Sequence, residues 1–177
     1  TLYESQNRPS IILTDLITDE AEDCILRHEH QGKRIELIQQ FPESSVDIRG
    51  DSYMIRRLFR NALENASTFT KDKISIFITT ENQTNSLHIA IEDNGSGFSR
   101  EAMVHFGNRR VSRKLENKPD GRLSVGLGSV VMKTICEAHR GKIIVSNRLD
   151  GDQILGARVE ISLPLATSIN SPVQVSA

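Results

Sequence analysis

Apolar residues recur along the chain with two different periods, and the switches between them mark out the elements. Pro9-Ser10-Ile11-Ile12-Leu13 is a short apolar run that predicts an edge strand. Thr14 or Asp15 then caps a helix to about Gln31, with Leu16, Ile17, Ala21, Cys24, Ile25 and His28 as its stripe and Gly32 as its stop. Arg34 to Ile38 reads as a strand, broken by Pro42 and Ser44-Ser45. Asp51 or Ser52 caps a helix to about Thr68, whose apolar positions Ile55, Leu58, Phe59, Ala62, Leu63 and Ala66 fall at three- and four-residue steps. Lys73 to Thr80 alternates with period two through Ile74, Ile76 and Ile78, and Ser86 to Asp93 alternates again after a hairpin loop at Glu81 to Asn85. Ser99 to Met103 predicts one or two helical turns. A further helix runs from the Ser124-Val125-Gly126-Leu127-Gly128-Ser129 turn to about His139, ended by Gly141. Lys142 to Ser146 and Ile154 to Leu163 predict two strands joined by a turn at Asp150-Gly151, the second stopped by Pro164.

This pattern places one domain between residues 9 and 165, with residues 1–8 as a disordered or linker remnant and 166–177 as a tail or linker. Composition supports an ordinary globular domain: 37% of the 177 residues are hydrophobic and 25% are charged, enough for a core and a solvated surface. The formal net charge of -1 gives no electrostatic case for nucleic acid or for an anionic membrane surface. No apolar run approaches the roughly 20 residues that span a bilayer. Cys24 and Cys136 lie far apart, so their spacing indicates neither a disulfide framework nor a zinc site, and a reducing compartment is the default.

Three stretches carry candidate chemistry. Ile91-Glu92-Asp93-Asn94-Gly95-Ser96-Gly97-Phe98 runs a strand into a carboxylate held by a turn with two glycines. Asp93 offers acceptor oxygens and no donor while ionised, which suits an amino group such as the exocyclic amine of adenine. Gly95 and Gly97 let a ligand approach the backbone closely, although Asn-Gly alone also marks a plain turn. Asn61 and Asn65 lie four apart on one helix face, where each Asn costs roughly half a kcal/mol relative to Ala; a task for the pair and a merely solvated face both fit. Gly126-Leu127-Gly128 opens a helix, where free N–H groups and the positive dipole end suit phosphate. Before it, His105 to Arg122 is polar, basic and unpatterned, with Arg109 and Arg110 among its cations. A loop of that length is a lid over a ligand or a disordered insertion.

Taken in order, these stretches resemble the catalytic, ATP-binding domain of two-component sensor histidine kinases. Arg60 to Thr70 is similar to the N box of that family, and Glu92 to Phe98 to its first glycine box. His105-Phe106-Gly107-Asn108-Arg109 is similar to the F box, and Val125 to Gly128 to the second glycine box. His139-Arg140-Gly141 and the strand from Gly156 to Pro164 also fit the family's ending.

The resemblance implies an α/β (α+β) two-layer sandwich of the Bergerat type, a mixed sheet backed by about three helices with a mobile ATP lid. It implies that ATP and Mg²⁺ are the cofactors, that Asp93 accepts from the adenine amine and that Asn65 ligates the metal. Asn61 would lie near metal and phosphates as a catalytic residue, and Gly95 and Gly97 would shape the nucleotide turn. Gly126, Leu127 and Gly128 would give N–H groups to the phosphates, and Arg109 or Arg110 would neutralise γ-phosphate charge. The implied partners are the phosphoacceptor and dimerisation domain of the same parent kinase and a response regulator downstream. Nucleic acid and membrane contact are not implied for this domain, which would be monomeric alone. Its place would be the cytoplasm, with the parent protein anchored in an inner membrane or free.

Departures from the family pattern are Thr68 for a basic residue, Ser124 and Ser129 for a glycine and a leucine, and Ala157 or Arg158 for a threonine. Those at Thr68, Ser124 and Ala157 lean towards a second reading, a degenerate nucleotide-binding pseudokinase or interaction module, against which the retained Asn65, Asp93 and glycine turn argue. A third, a gyrase-type ATPase, needs a Glu where Asn61 stands, because Asn cannot act as general base. The family's phosphoacceptor His lies on a separate hairpin. His28-Glu29 is the only His followed by an acid, and it falls inside the catalytic region as a structural or surface residue.

Overall fold

The computed structural model describes residues 8–108 and 127–166. Strand β1 (Ser10–Ile12) pairs antiparallel with β3 (Asp47–Arg49) in a two-stranded ribbon. The remaining strands are β2 (Glu36–Gln40), β4 (Lys73–Glu81), β5 (Ser86–Asp93), β6 (Lys142–Asp150) and β7 (Gln153–Pro164). They form one sheet in the order β2-β4-β5-β7-β6, with β2 parallel to β4 and the other neighbours antiparallel. The described helices are α1 (Leu13–His30), α2 (Ser52–Phe69), the short α3 (Arg100–Val104) and α4 (Leu127–Ala138). This is the mixed-sheet, two-layer α+β architecture that the family resemblance implies.

Helix α2 is the centre of the helical layer, packed between α1 and α4 and over β5. Its stripe of Ile55, Leu58, Phe59, Ala62, Leu63 and Ala66 is buried, as the periodicity predicts. Opposite it stand Ile74, Ile76 and Ile78 of β4, Leu87, Ile89 and Ile91 of β5, and Val159, Ile161 and Leu163 of β7. Each such side chain contributes about 1.5–3 kcal/mol by leaving water. The Asp51 carboxylate caps α2 by accepting from the Met54 N–H at 3.1 Å. At the other end Lys33 Nζ donates to the Ser67 carbonyl at 2.6 Å and the Thr68 carbonyl at 2.9 Å. A cation there satisfies last-turn carbonyls and complements the helix dipole.

Several boundaries differ from the sequence pattern, each for a local reason. Helix α1 starts at Leu13, with Ile12 in the cap position and no side-chain cap. The main chain replaces the cap: the Leu13 N–H donates to the Val46 carbonyl at 2.8 Å. Strand β2 begins at Glu36, not Arg34, because its ladder begins where β4 does, Glu36 against Lys73. Strand β3 has no counterpart in the sequence reading. Strand β6 continues past Ser146 to Asp150 through the polar Asn147 and Arg148. Both ends of the described chain are tied down: Arg8 donates to the Ala138 carbonyl at 3.2 Å, and the Ala166 N–H to the Asp47 carbonyl at 2.9 Å. No described helix is long and apolar enough to cross a membrane.

Candidate functional site

Asp93 ends β5 with its side chain 3% exposed, a depth at which carboxylates are found only with partners. Its Oδ1 accepts from the Gly95 N–H at 2.8 Å and from the Ala157 N–H of β7 at 3.3 Å. Two backbone donors from different segments therefore fix the orientation of the carboxylate. Ala157, 1% exposed, acts here through its backbone.

The turn after Asp93 is packed so tightly that its glycines are sterically required. A Cβ on Gly95 would stand 2.1 Å from the Phe69 carbonyl oxygen at the end of α2. Gly97 has φ +77, and a Cβ there would lie 2.7 Å from Asn147 Oδ1. Asn94 ties the same turn to the connection between α2 and β4. Its Oδ1 accepts from Thr70 Oγ1 at 2.7 Å and from the N–H groups of Lys71, Asp72 and Lys73 at 3.1, 3.2 and 3.2 Å. Its Nδ2 donates to Asp72 Oδ1 at 2.7 Å.

Polar groups of β6 and β7 brace the strand end from the other side. Asn147 bonds both backbone groups of Phe98. Arg148 donates from Nε to Glu92 at 2.9 Å and from Nη1 to the Asp93 carbonyl at 3.3 Å. Glu92 also pairs with Arg158, which reaches Glu160 at 2.7 Å as well. Burial pulls the Arg158 pKa down, but the two carboxylates outweigh it and leave it raised. The sequence pattern marks neither Asn147 nor Arg148, since both are ordinary polar residues 49 and 55 positions from the turn residues they hold.

Along α2, residues 61, 65 and 69 lie four apart and share one stripe, about 12 Å from end to end at 1.5 Å per residue. Gly95 and the Asp93 turn sit against its Phe69 end. At the other end, a Cβ on Gly128 in the first turn of α4 would lie 3.4 Å from Asn61 Oδ1. Asn61 Nδ2 donates to the Arg57 carbonyl at 2.7 Å, so its oxygen is the end presented towards α4. Asn65 stands between, half-buried, and its Nδ2 is buried without a hydrogen-bond partner. An orphaned buried amide costs about 1–3 kcal/mol, and a bound group that took it up would recover that. This donor, on the stripe between the Asp93 turn and Gly128, fits an acceptor such as a phosphate oxygen of a nucleotide, and Asn65 Oδ1 is the atom of that side chain that a metal would take.

Gly107, at φ +72, packs on α4. Its N–H donates to Ser129 Oγ at 3.3 Å, and a Cβ would lie 2.4 Å from the Lys133 side chain. Ser129, a departure by the resemblance, is therefore the buried hydroxyl that joins the His105-Phe106-Gly107 segment to α4. Of the predicted site residues the structure brings together Asn61, Asn65, Asp93, Gly95, Gly97 and Gly128, with Leu127 exposed at the start of α4. Arg109, Arg110 and Gly126 lie outside the described residues, as does most of the predicted lid.

Comparison with known proteins agrees with this fold. A family model described as histidine kinase-, DNA gyrase B- and HSP90-like ATPase matches residues 50–167. Sensor protein kinase WalK of Staphylococcus aureus is 31% identical over 144 residues, 79% of this chain and 33% of that protein. Sensor protein KdpD of Clostridium acetobutylicum is 27% identical over 140 residues, 79% of this chain and 15% of that protein. The chain spans 15%, 36% and 18% of the length of three such sensor kinases. Among solved structures, the mycobacterial sensor histidine kinase MprB matches with TM-score 0.73 and 20% identity, covering 89% of this chain and 97% of that one. Full-length ShkA in complex with AMPPNP matches with TM-score 0.70 and 20% identity, covering 92% and 32%.

Proposed function

Because the chain belongs to the histidine kinase-, DNA gyrase B- and HSP90-like ATPase family, we propose that it binds Mg-ATP and donates the γ-phosphoryl group to a histidine on a separate domain. That domain is the phosphoacceptor and dimerisation hairpin of a parent sensor kinase, and a response regulator takes the phosphoryl group next. The observation that carries this reading is the fixed Asp93 carboxylate at one end of the Asn61-Asn65-Phe69 stripe, with Gly128 at the other.

In this reading Asp93 reads the adenine amine as an acceptor held by two backbone N–H groups. Gly95 and Gly97 let the turn pack closely on Phe69 and Asn147, which holds Asp93 in place for the base. Asn65 presents its carboxamide to the metal, and Asn61 stands beside the phosphates. Gly126, Leu127 and Gly128 offer N–H groups at the start of α4, and Arg109 or Arg110 supplies positive charge to the γ-phosphate. Mg²⁺, when bound, spreads phosphate charge and orients the leaving group. In the transfer, the bond from the γ-phosphorus to the ADP oxygen breaks, a bond to one imidazole nitrogen forms, and the proton on the other ring nitrogen leaves to the acceptor domain or solvent. The protein contributes placement and charge, not a proton-abstracting base. Asn61 supports transfer over hydrolysis, because a carboxamide cannot deprotonate water.

The test supplies γ-labelled Mg-ATP and the chain to a separately purified acceptor hairpin of the parent kinase. Acid-labile label on the hairpin histidine, lost with Asn65→Ala, is expected. Steady ATP hydrolysis without any transfer would overturn the kinase reading in favour of a hydrolase.

A further inference from the structure

Away from the nucleotide site, α1 and α2 meet at a cluster with metal-ligating chemistry. Cys24 and His28 lie four apart on α1, so both face α2, and Glu64 comes from α2. Cys24 Sγ is 3.2 Å from Glu64 Oε2, and His28 Nε2 is 3.4 Å from Glu64 Oε1. One ligand atom from each of the three lies within 4.8 Å of the others. An ion held at about 2.0–2.3 Å from S, N and O ligands leaves them about 3.3–3.7 Å apart at tetrahedral angles. The His28–Glu64 Oε1 distance of 3.4 Å already falls in that range, and the trio as a whole closes to it from within 4.8 Å.

A second observation points the same way. His28 is 8% exposed, and its Nε2 is buried without a hydrogen bond even though Glu64 stands nearby. An imidazole nitrogen in that position costs free energy until something takes it up. A plain His-Glu ion pair would direct an N–H at the carboxylate, and no such bond is made. Cys24 is fully buried, while Glu64 is about half exposed, which leaves an entry path from its side.

We propose that Cys24, His28 and Glu64 form a transition-metal site, most suited to Zn²⁺, that staples α1 to α2. The sulfur ligand selects a borderline-soft cation and disfavours Mg²⁺ and Ca²⁺, which take oxygen ligands. The site is thereby separate from any metal that accompanies a nucleotide. Three protein ligands leave a fourth position for water. Ser67 Oγ, 3.3 Å from Sγ, is placed to donate to the thiolate. Binding displaces the thiol proton to solvent. That release makes affinity rise with pH. Arg27, 3.3 Å from Glu64 Oε2, competes for that oxygen and leaves Oε1, on the His28 side, to the ion.

The test titrates the nucleotide-free chain with Co²⁺ and with Zn²⁺. A near-ultraviolet thiolate-to-Co²⁺ absorption band and a raised Tm at saturating Zn²⁺ are expected, with millimolar Mg²⁺ changing neither. Cys24→Ser should remove the band, and His28→Gln and Glu64→Gln should each weaken Zn²⁺ binding by at least ~10-fold. Cys136→Ser, at the other buried thiol, should change nothing. If Cys24→Ser fails to fold, the two other variants decide by their Zn²⁺ affinities. Absence of the band in the unmutated chain, its survival in folded Cys24→Ser, or unaltered Zn²⁺ affinity in both other variants would overturn the site.

Discussion

Asn147 grips Phe98 by both of its backbone groups: Oδ1 accepts from the Phe98 N–H at 2.6 Å, and Nδ2 donates to the Phe98 carbonyl at 2.9 Å. A β6 side chain thereby closes the turn that begins at Asp93. Asn147→Ala removes both bonds, at about 1 kcal/mol each. The expected result is a loss of about 2 kcal/mol in urea unfolding. Nucleotide affinity should fall with it. Asn147→Asp, which keeps the acceptor only, should lie between. An unchanged unfolding midpoint for the alanine variant would remove Asn147 from the site's support.

Gly95→Ala tests the same turn from the α2 side. The added methyl group would stand 2.1 Å from the Phe69 carbonyl oxygen, so either the turn or the helix end must move. Overpacking of this kind costs about 1–3 kcal/mol. Tm and nucleotide binding should both drop, whereas Ser96→Ala, at an exposed neighbour, should leave both alone. Normal nucleotide affinity in Gly95→Ala would mean that the turn does not face the base.

Glu20 sets an acid limit on stability. It is 2% exposed and takes Arg56 at 3.2 Å and Arg60 at 3.0 and 3.2 Å. Burial alone would raise its pKa, but hydrogen bonds from Arg60 and Arg56 outweigh burial and hold it below the ordinary value. A depressed carboxyl pKa stabilises the fold fully above the unfolded value, about 4.3, and that contribution disappears as pH falls through the folded value. Glu20→Gln should cost about 1–2 kcal/mol near neutral pH, a modest figure because both arginines are half exposed and regain water. Urea midpoints of the two proteins should converge below about pH 4. A constant gap at every pH would show that the ion pairs are not its source.

Much of this arrangement was readable along the chain. The α2 stripe, the period-two alternation of β4 and β5, the Asp51 cap and the short helix after Ser99 rest on local patterns, and the structure places them accordingly. Asp93, Gly95 and Asn65 stood out because strand, turn and helix chemistry coincide at them. What the chain concealed depends on distant partners. Strand β3 is three residues long and exists only through β1. Ala157 acts by an N–H that no sequence pattern marks. Glu20 falls inside an otherwise apolar stripe, and its partners come from the next helix. Ser129 looked like a defect in a motif and is a hydrogen-bonded joint.

The most direct test of the central claim is calorimetric titration of the chain with a non-hydrolysable ATP analogue, with and without Mg²⁺, beside Asp93→Asn. Asn keeps the shape of the side chain but replaces an acceptor oxygen with a donor. The account predicts saturable binding, strengthened by Mg²⁺, that Asp93→Asn abolishes while the variant stays folded. No binding to the unmutated chain at millimolar analogue, or equal affinity in the folded variant, would contradict it.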